Sequence, residues 1–249
     1  RGLVGLGAIV PAGLISERMI WYPYKGAFRA GNATLGEWDD VNIGRWSAAF
    51  GLGTTASADG SFAAGEGTVA SGGFASAFGQ GTTASGPGSF AIGRQLVLAS
   101  GNRSFAGGST VSATNTGDFV FGEGSQATGG FSTCFGADAQ ANGQLSYAFG
   151  SLIRSNGANS YLFGTGISAA YFVNSIPNSL MVGFQSDVPT FYVGTASGVV
   201  GSLGNVGIGT SAPANRCEIN SAVVNTSGLT FTQLNSSSST VANPGLGVL

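Results

Sequence analysis

The chain has 249 residues, 44 of them glycine, with only 8% charged residues and a formal net charge of −2. That balance excludes a disordered acidic chain and a basic nucleic-acid binder, and glycine in excess with so little charge suits tight turns and sheets over helices. Histidine is absent, which removes the commonest general base and metal ligand, and with it any Ser-His, Cys-His or His-rich metal constellation.

The opening stretch, GLVGLGAIVPAGLI, is apolar but broken by glycines and Pro11, and is shorter than the roughly 20 residues a spanning helix needs. It lacks the cleavage site of a signal peptide, so the chain reads as a processed or excerpted piece of a longer one. Gly5 and Gly7 are followed by Pro11 and by no βαβ unit, which argues against a dinucleotide loop. In ERMIWYPYKGAFRAG, Met19, Trp21 and Tyr22 precede Pro23, predicting a strand and turn that cap the open first coil of a downstream solenoid. Glu37, Asp39 and Asp40 fall just before that coil, where turn-forming and capping roles outweigh catalysis. Residues 1–43 form this capping and lead-in segment.

From 44 to 166 a five-residue phrase ending in glycine recurs: SAAFG, SFAAG, ASAFG, SFAIG, SFAGG, DFVFG, STCFG, SYAFG and SYLFG, ending at Gly51, Gly65, Gly79, Gly93, Gly108, Gly122, Gly136, Gly150 and Gly164. The step is 14 residues with one step of 15, and the extra residue falls in RQLVLASGN, predicting a bulge or wider turn there. Between the phrases lies a weaker one, GTTAS, GTVAS, GTTAS, GSQAT, ADAQA and LIRSN. Two short strands and two tight turns fit a 14-residue period, whereas leucine-rich and helical repeats need more. The period predicts an all-β parallel β-roll of about nine coils, roughly 43 Å long at ~4.8 Å per coil.

Alternation assigns the faces. In the first strand, small residues such as Ser61 and Ala63 alternate with large ones, above all Phe50, Phe78, Phe90, Phe105, Phe121, Phe135, Phe149 and Phe163. A two-sheet roll buries one face per strand, and an exposed stripe of nine aromatic positions exceeds the apolar patches of soluble monomers. These eight phenylalanines are therefore expected to form the seam between rolls packed side by side, the alternative being a lone roll with a thick core. In the second strand, Thr54, Thr68, Thr82 and Ser125 share a face with small alanines, while Thr55, Thr83, Ser112, Gln126, Gln140 and Arg154 fill a wet face. Gln126, Gln140 and Arg154, with Trp46 beside the first coil, are the candidate surface contacts; Trp46 has closure of that coil as its alternative role.

Residues 167–215 carry NSLMVGF, PTFYVGT and NVGIGTSAP, three short strands whose near-continuous apolar runs predict burial on both sides and hence a β junction shared between chains. Residues 216–249 hold one strand, GLTFTQL, in a Ser/Asn-rich linker toward a further domain. Cys134, in a core alanine position, and Cys217 are expected to be small buried hydrophobes, with no disulfide framework. Asp59, Asp118 and Asp138 do not recur at the GGxGxD spacing of calcium-binding rolls, so no metal and no cofactor is expected.

The alternation of S-x-A-x-G with G-T-x-A-S-G over nine copies resembles the head repeats of trimeric autotransporter adhesins of the YadA type, and NVGIGTSAP resembles a junction of bacterial surface fibres and phage tail fibres. The resemblance implies left-handed parallel β-rolls assembled as a homotrimer, in an extracellular fibre at a bacterial cell surface. The expected role is non-enzymatic surface attachment through many weak contacts, to a host cell, matrix or glycan surface that the sequence leaves open, with no nucleic acid and no membrane insertion by this segment. The alternative is a tail fibre of a bacteriophage or contractile injection system. The Thr54, Thr68 and Thr82 ladder raises ice binding but stops at Leu96, and the coils carry too few acids for a polysaccharide-cleaving pair.

Overall fold

The structure, a computed structural model, describes residues 16–168, 170–196, 198–200 and 202–220. The apolar opening stretch and the GLTFTQL strand lie outside these residues. The chain is all-β and its dominant feature is a parallel solenoid. Strands Ala27–Ala33, Ala48–Leu52, Phe62–Glu66, Ser76–Ala84, Phe90–Ala99, Phe105–Ser109, Phe119–Glu123, Thr133–Ala137, Tyr147–Ser151, Tyr161–Thr165 and Leu180–Phe184 form one column. Their registers align each phrase-ending glycine with the next, from Gly31 through Gly51 and Gly164 to Gly183. A second column runs from Thr55–Ala56 through Gln126–Ala127 to Phe172–Asn174, and takes in the C-terminal ends of the long strands Ser76–Ala84 and Phe90–Ala99, which pass from one column to the other.

The roll is longer than nine coils. It does not start at 44 or stop at 166, because Ala27–Ala33 pairs in parallel with Ala48–Leu52 and Leu180–Phe184 with Tyr161–Thr165. These two rungs escape a 14-residue count because the turns that join them to the repeat are longer. Ser16–Tyr22 then closes one end as an antiparallel strand on Ala27–Ala33, as the sequence predicts. At the other end Phe191–Val193 and Val206–Ile208 add antiparallel strands and Cys217–Ile219 a parallel one. In this region Met181 and Tyr192 are buried while Phe184, Phe191 and Ile208 remain exposed, so burial on both sides is met on one side only within the chain. The extra residue of the RQLVLASGN coil is absorbed as a register shift, with Gln95 and Leu96 both at positive φ.

The small face of each phrase strand points into the roll. Ala49, Ala63, Ala77, Ala91, Ala106 and Ala148 are fully buried, facing Ala56, Ala70, Ala84, Ala99 and Ala113 of the second column. Through most of the repeat, where one strand carries a larger inward residue its partner in the rung stays small: Val120 goes with Ser125, Cys134 with Ala139, and Ala148 with Ile153, whereas the next rung buries two large residues, Leu162 with Phe172. Along the regular repeat the interior is thus narrow and close-packed, and it widens at the rung of Leu162 and Phe172. A recurrent serine stands at the corner that opens most phrases, and at several rungs its hydroxyl donates to the carbonyl three residues back, as in Ser47 to Gly44 (2.7 Å), Ser61 to Ala58 (2.6 Å) and Ser160 to Gly157 (2.6 Å); Ala75 and Asp118 take its place in two rungs.

Glycine at the phrase end is required twice over. Gly79 has φ +112°, and a Cβ there would lie 1.9 Å from the carbonyl oxygen of Gly93 in the next rung. Gly79→Val is expected to destabilise the roll by well over the ~1 kcal/mol typical of point substitutions, while Gln126→Ala on the outer face stays close to neutral; denaturant midpoints of the two variants compare them directly. Equal losses would contradict the face assignment.

The inward threonines of the second column, Thr54, Thr68 and Thr82, are fully buried, and their hydroxyls have no hydrogen-bond partner among the described residues. Farther along the roll the same inward position is Val97 and then Val111. Thr68→Val should therefore raise stability by about 1 kcal/mol, by removing an unpaired buried hydroxyl from a site that already takes valine. A loss of stability in thermal unfolding would show that the hydroxyl is satisfied from another source.

Candidate functional site

The outer face of the first column carries a continuous ladder of phenyl rings. Phe28, Phe50, Phe62, Phe78, Phe90, Phe105, Phe119, Phe135, Phe149 and Phe163 follow one another with ring centroids 4.5–5.5 Å apart. The rings zigzag between two strand positions. In several rungs one position is large and its neighbour small, as in Ala48 with Phe50, Phe62 with Ala64, Ser76 with Phe78, Phe105 with Gly107 and Thr133 with Phe135, whereas Phe90 with Ile92, Phe119 with Phe121, Tyr147 with Phe149 and Tyr161 with Phe163 fill both. Some pairs are stacked and others tilted by 31–41°, and aromatic pairs in such geometries stabilise by ~0.5–1.5 kcal/mol each beyond the area they cover.

Seven of the eight predicted seam residues lie in this stack. The eighth, Phe121, stands beside it, 6.4 Å from Phe135 and half exposed. Phe28 extends the ladder onto the lead-in segment. The signal for it was present in the sequence, since AFRAG repeats the phrase pattern and ends at Gly31. Within one chain the ladder is covered on the roll side only: Phe121, Phe135 and Phe163 are 50%, 36% and 38% exposed. The open depression on this face, about 730 Å³, is lined by Phe121, Phe135, glycine backbone, Arg94 and a single carboxylate, Glu123.

Gln126, Gln140 and Arg154 occupy successive rungs of the outer face of the second column, and the Arg154 guanidinium lies 3.7 Å over the ring of Tyr171. Trp46 is elsewhere, at the corner preceding the first phrase strand, and is 69% exposed. It does not close the first coil. That part falls to Trp38, which is 1% exposed and donates its indole N–H to the Thr54 carbonyl at 2.9 Å. Beside it Arg29 is fully buried, donating to the carbonyls of Phe28, Ser47 and Ala56 and to the Ser47 hydroxyl, and burial lowers its pKa to about 10. Sequence reasoning misses the closing role of Trp38 and Arg29, because a lead-in strand offers no repeat against which to judge which side chain turns inward.

The lead-in carboxylates hold turns. Burial pushes Glu37 up, but N–H donors of Leu35 and Thr34 and the Thr34 hydroxyl outweigh this and leave its carboxyl below the usual value. The Tyr22 hydroxyl, at 2.7 Å, and the Lys25 ammonium lower Asp40. Asp118 takes the corner position that serine fills elsewhere and accepts from Asn115, Gly130 and Ser132. Among the described residues no group of three or more His, Cys, Asp or Glu is placed to hold a metal ion. The buried Thr54, Thr68 and Thr82 cannot meet an ice surface. Cys134 is buried, which pushes its thiol up to about 12, but Cys217 is exposed, correcting the expectation that both are buried; both are free thiols.

No model of a known protein family matches the chain, and no curated protein matches it.

Proposed function

We propose that the chain is a segment of an extracellular homotrimeric fibre, acting without catalysis to hold a particle or cell at a surface. One observation carries this reading: a roll whose interior is already filled by alanine has a second apolar surface, the phenylalanine ladder, left outside. Desolvating rings that are now half exposed would stabilise a side-by-side assembly by roughly 1 kcal/mol or more each, multiplied along the rod. The left-handed winding of the roll and the number three come from the resemblance to trimeric autotransporter heads. The junction phrase NVGIGTSAP resembles those of bacterial surface fibres and of phage tail fibres alike, so the same architecture has a second setting, the tail fibre of a phage or injection system. The outward Gln126, Gln140 and Arg154 supply polar contacts repeated on every chain.

Static light scattering under native conditions should return the mass of three chains, and Phe149→Asp should prevent assembly because it places an unpaired charge in an apolar seam. A monomeric mass for the unaltered protein would overturn the proposal.

Attachment by many weak contacts further predicts a graded response. Gln126→Ala, Gln140→Ala and Arg154→Ala should each reduce adhesion of the assembled fibre slightly and together strongly. Abolition by one of them, with the assembly intact, would point instead to a discrete receptor pocket.

A further inference from the structure

The corner preceding each phrase strand holds one residue in the left-handed region. Down the rod this position reads Trp46, Gly60, Phe74, Gly88, Arg103, Gly117 and Phe131, with φ between 52° and 69°. Beyond Phe131 it becomes Leu145, Asn159 and Asn178, where the alternation ends. Each corner is tied to the rung before it by a backbone hydrogen bond, as from Phe74 N–H to the Asp59 carbonyl (2.9 Å), Arg103 to Pro87 (2.9 Å) and Phe131 to Thr116 (2.8 Å). From Trp46 to Phe131, planar side chains therefore stand on alternate rungs, about 9.6 Å apart, with glycine between them.

These planar groups do not belong to the core. Trp46, Phe74 and Phe131 are 69%, 74% and 52% exposed, and Arg103 is exposed as well. Left-handed backbone strains any residue with a Cβ, and the intervening positions show that glycine fits this column. The rings of Phe74 and Phe131 lie over the preceding glycines so closely that a Cβ on Gly60 or Gly117 would come within 2.6 Å and 2.5 Å of them. Glycine thus leaves room for each of these two rings at its corner, where more than half of the side chain stays exposed. Strain retained at exposed rings calls for an external role.

We propose that this ridge is a docking line for a linear polysaccharide carrying acidic sugars, laid along the rod axis; the proposal rests on the surface-attachment reading above. The negative face of an aromatic ring attracts the C–H face of a sugar ring, and a two-rung spacing suits a chain that presents one such face per two-sugar repeat. Arg103 occupies the same series, and its planar fork pairs with a carboxylate or sulfate, which gives the ridge charge complementarity to an acidic sugar. An extended peptide fits less well, because the backbone N–H groups of this column are already used between rungs, leaving no donor row for strand addition.

The test uses the full chain in its native assembly, with a hyaluronan octasaccharide and a neutral chitin octasaccharide as probes, by calorimetry and by the emission of exposed Trp46. Phe74→Gly and Phe131→Gly install the residue that the column already carries on alternate rungs. Each is expected to weaken both probes roughly tenfold while the melting temperature holds or rises. Arg103→Gln should weaken hyaluronan and leave the neutral probe unchanged. The proposal is overturned if neither probe binds, if the glycine variants bind as the unaltered chain does, if they lower the melting temperature, which makes the rings structural, or if they lower the native mass, which makes the ridge an interface between copies. Adhesion that survives in the ridge variants overturns the ridge alone, whereas an unaltered fibre that does not adhere fails the attachment reading.

Discussion

The solenoid depends on one close approach. At Gly51, Gly65, Gly79, Gly93, Gly108, Gly122, Gly136 and Gly150 a Cβ would lie 1.6–2.0 Å from the carbonyl oxygen of the next rung's glycine, and each has φ above +100°. Neither condition is compatible with another residue, so the position ties every coil to its neighbour at one register. A slip by one residue would bring a Cβ into the contact and turn the alanine face outward. The in-register stack then forces like residues over like. Ladders of serine corners, alanine walls and phenyl rings result from that.

Because the interior is so narrow, it supplies little hydrophobic stabilisation per rung. A buried alanine methyl is worth about 0.8 kcal/mol, against roughly 1.5–3 kcal/mol for a buried phenylalanine. The backbone ladder and the corner hydroxyls must carry much of the remainder, at about 1 kcal/mol net for each hydrogen bond. Most of the large apolar side chains sit on the outer face, where a single chain covers them only in part. A globular domain places its phenylalanines inside and finishes its core alone. Here the regular coils keep at least one inward residue of each rung small, as Ala148 opposite Ile153, and only toward the end of the repeat does a rung take two large residues, Leu162 and Phe172.

Much of this was legible in the sequence, for a definite reason. A strand turns successive side chains to opposite faces, so a repeat that alternates small and large residues states both faces at once, and the extra residue at RQLVLASGN had to appear as a bulge. The sequence was silent where the repeat supplied no comparison. Gly31 and Gly183 belong to the glycine column, yet longer turns separate them from their neighbours and hide them from a fixed step. Trp38 and Trp46 lie close together in the chain, and nothing in their local composition says which turns inward; the structure buries Trp38 over the end of the first coil and leaves Trp46 on a corner. Cys217 lies outside the repeat, and its burial could not be read from a neighbour as that of Cys134 could.

The same separation of roles bears on how such a rod meets a surface. Inward positions and phrase-end glycines are fixed by close contacts with the adjoining rungs, whereas outward positions of the second column change from Leu98 to Ser112 to Gln126 to Gln140 to Arg154 with no change in register. The backbone pairing does not depend on what the outer face displays. Side chains there are free to be chosen for an external partner, at a spacing the backbone sets. The corner column goes further, because its bulky residues are held against the local backbone preference while glycine serves equally well one rung away. Position in the coil therefore separates residues that maintain the rod from residues that the rod presents, and the exposed rings at strained corners belong to the second group.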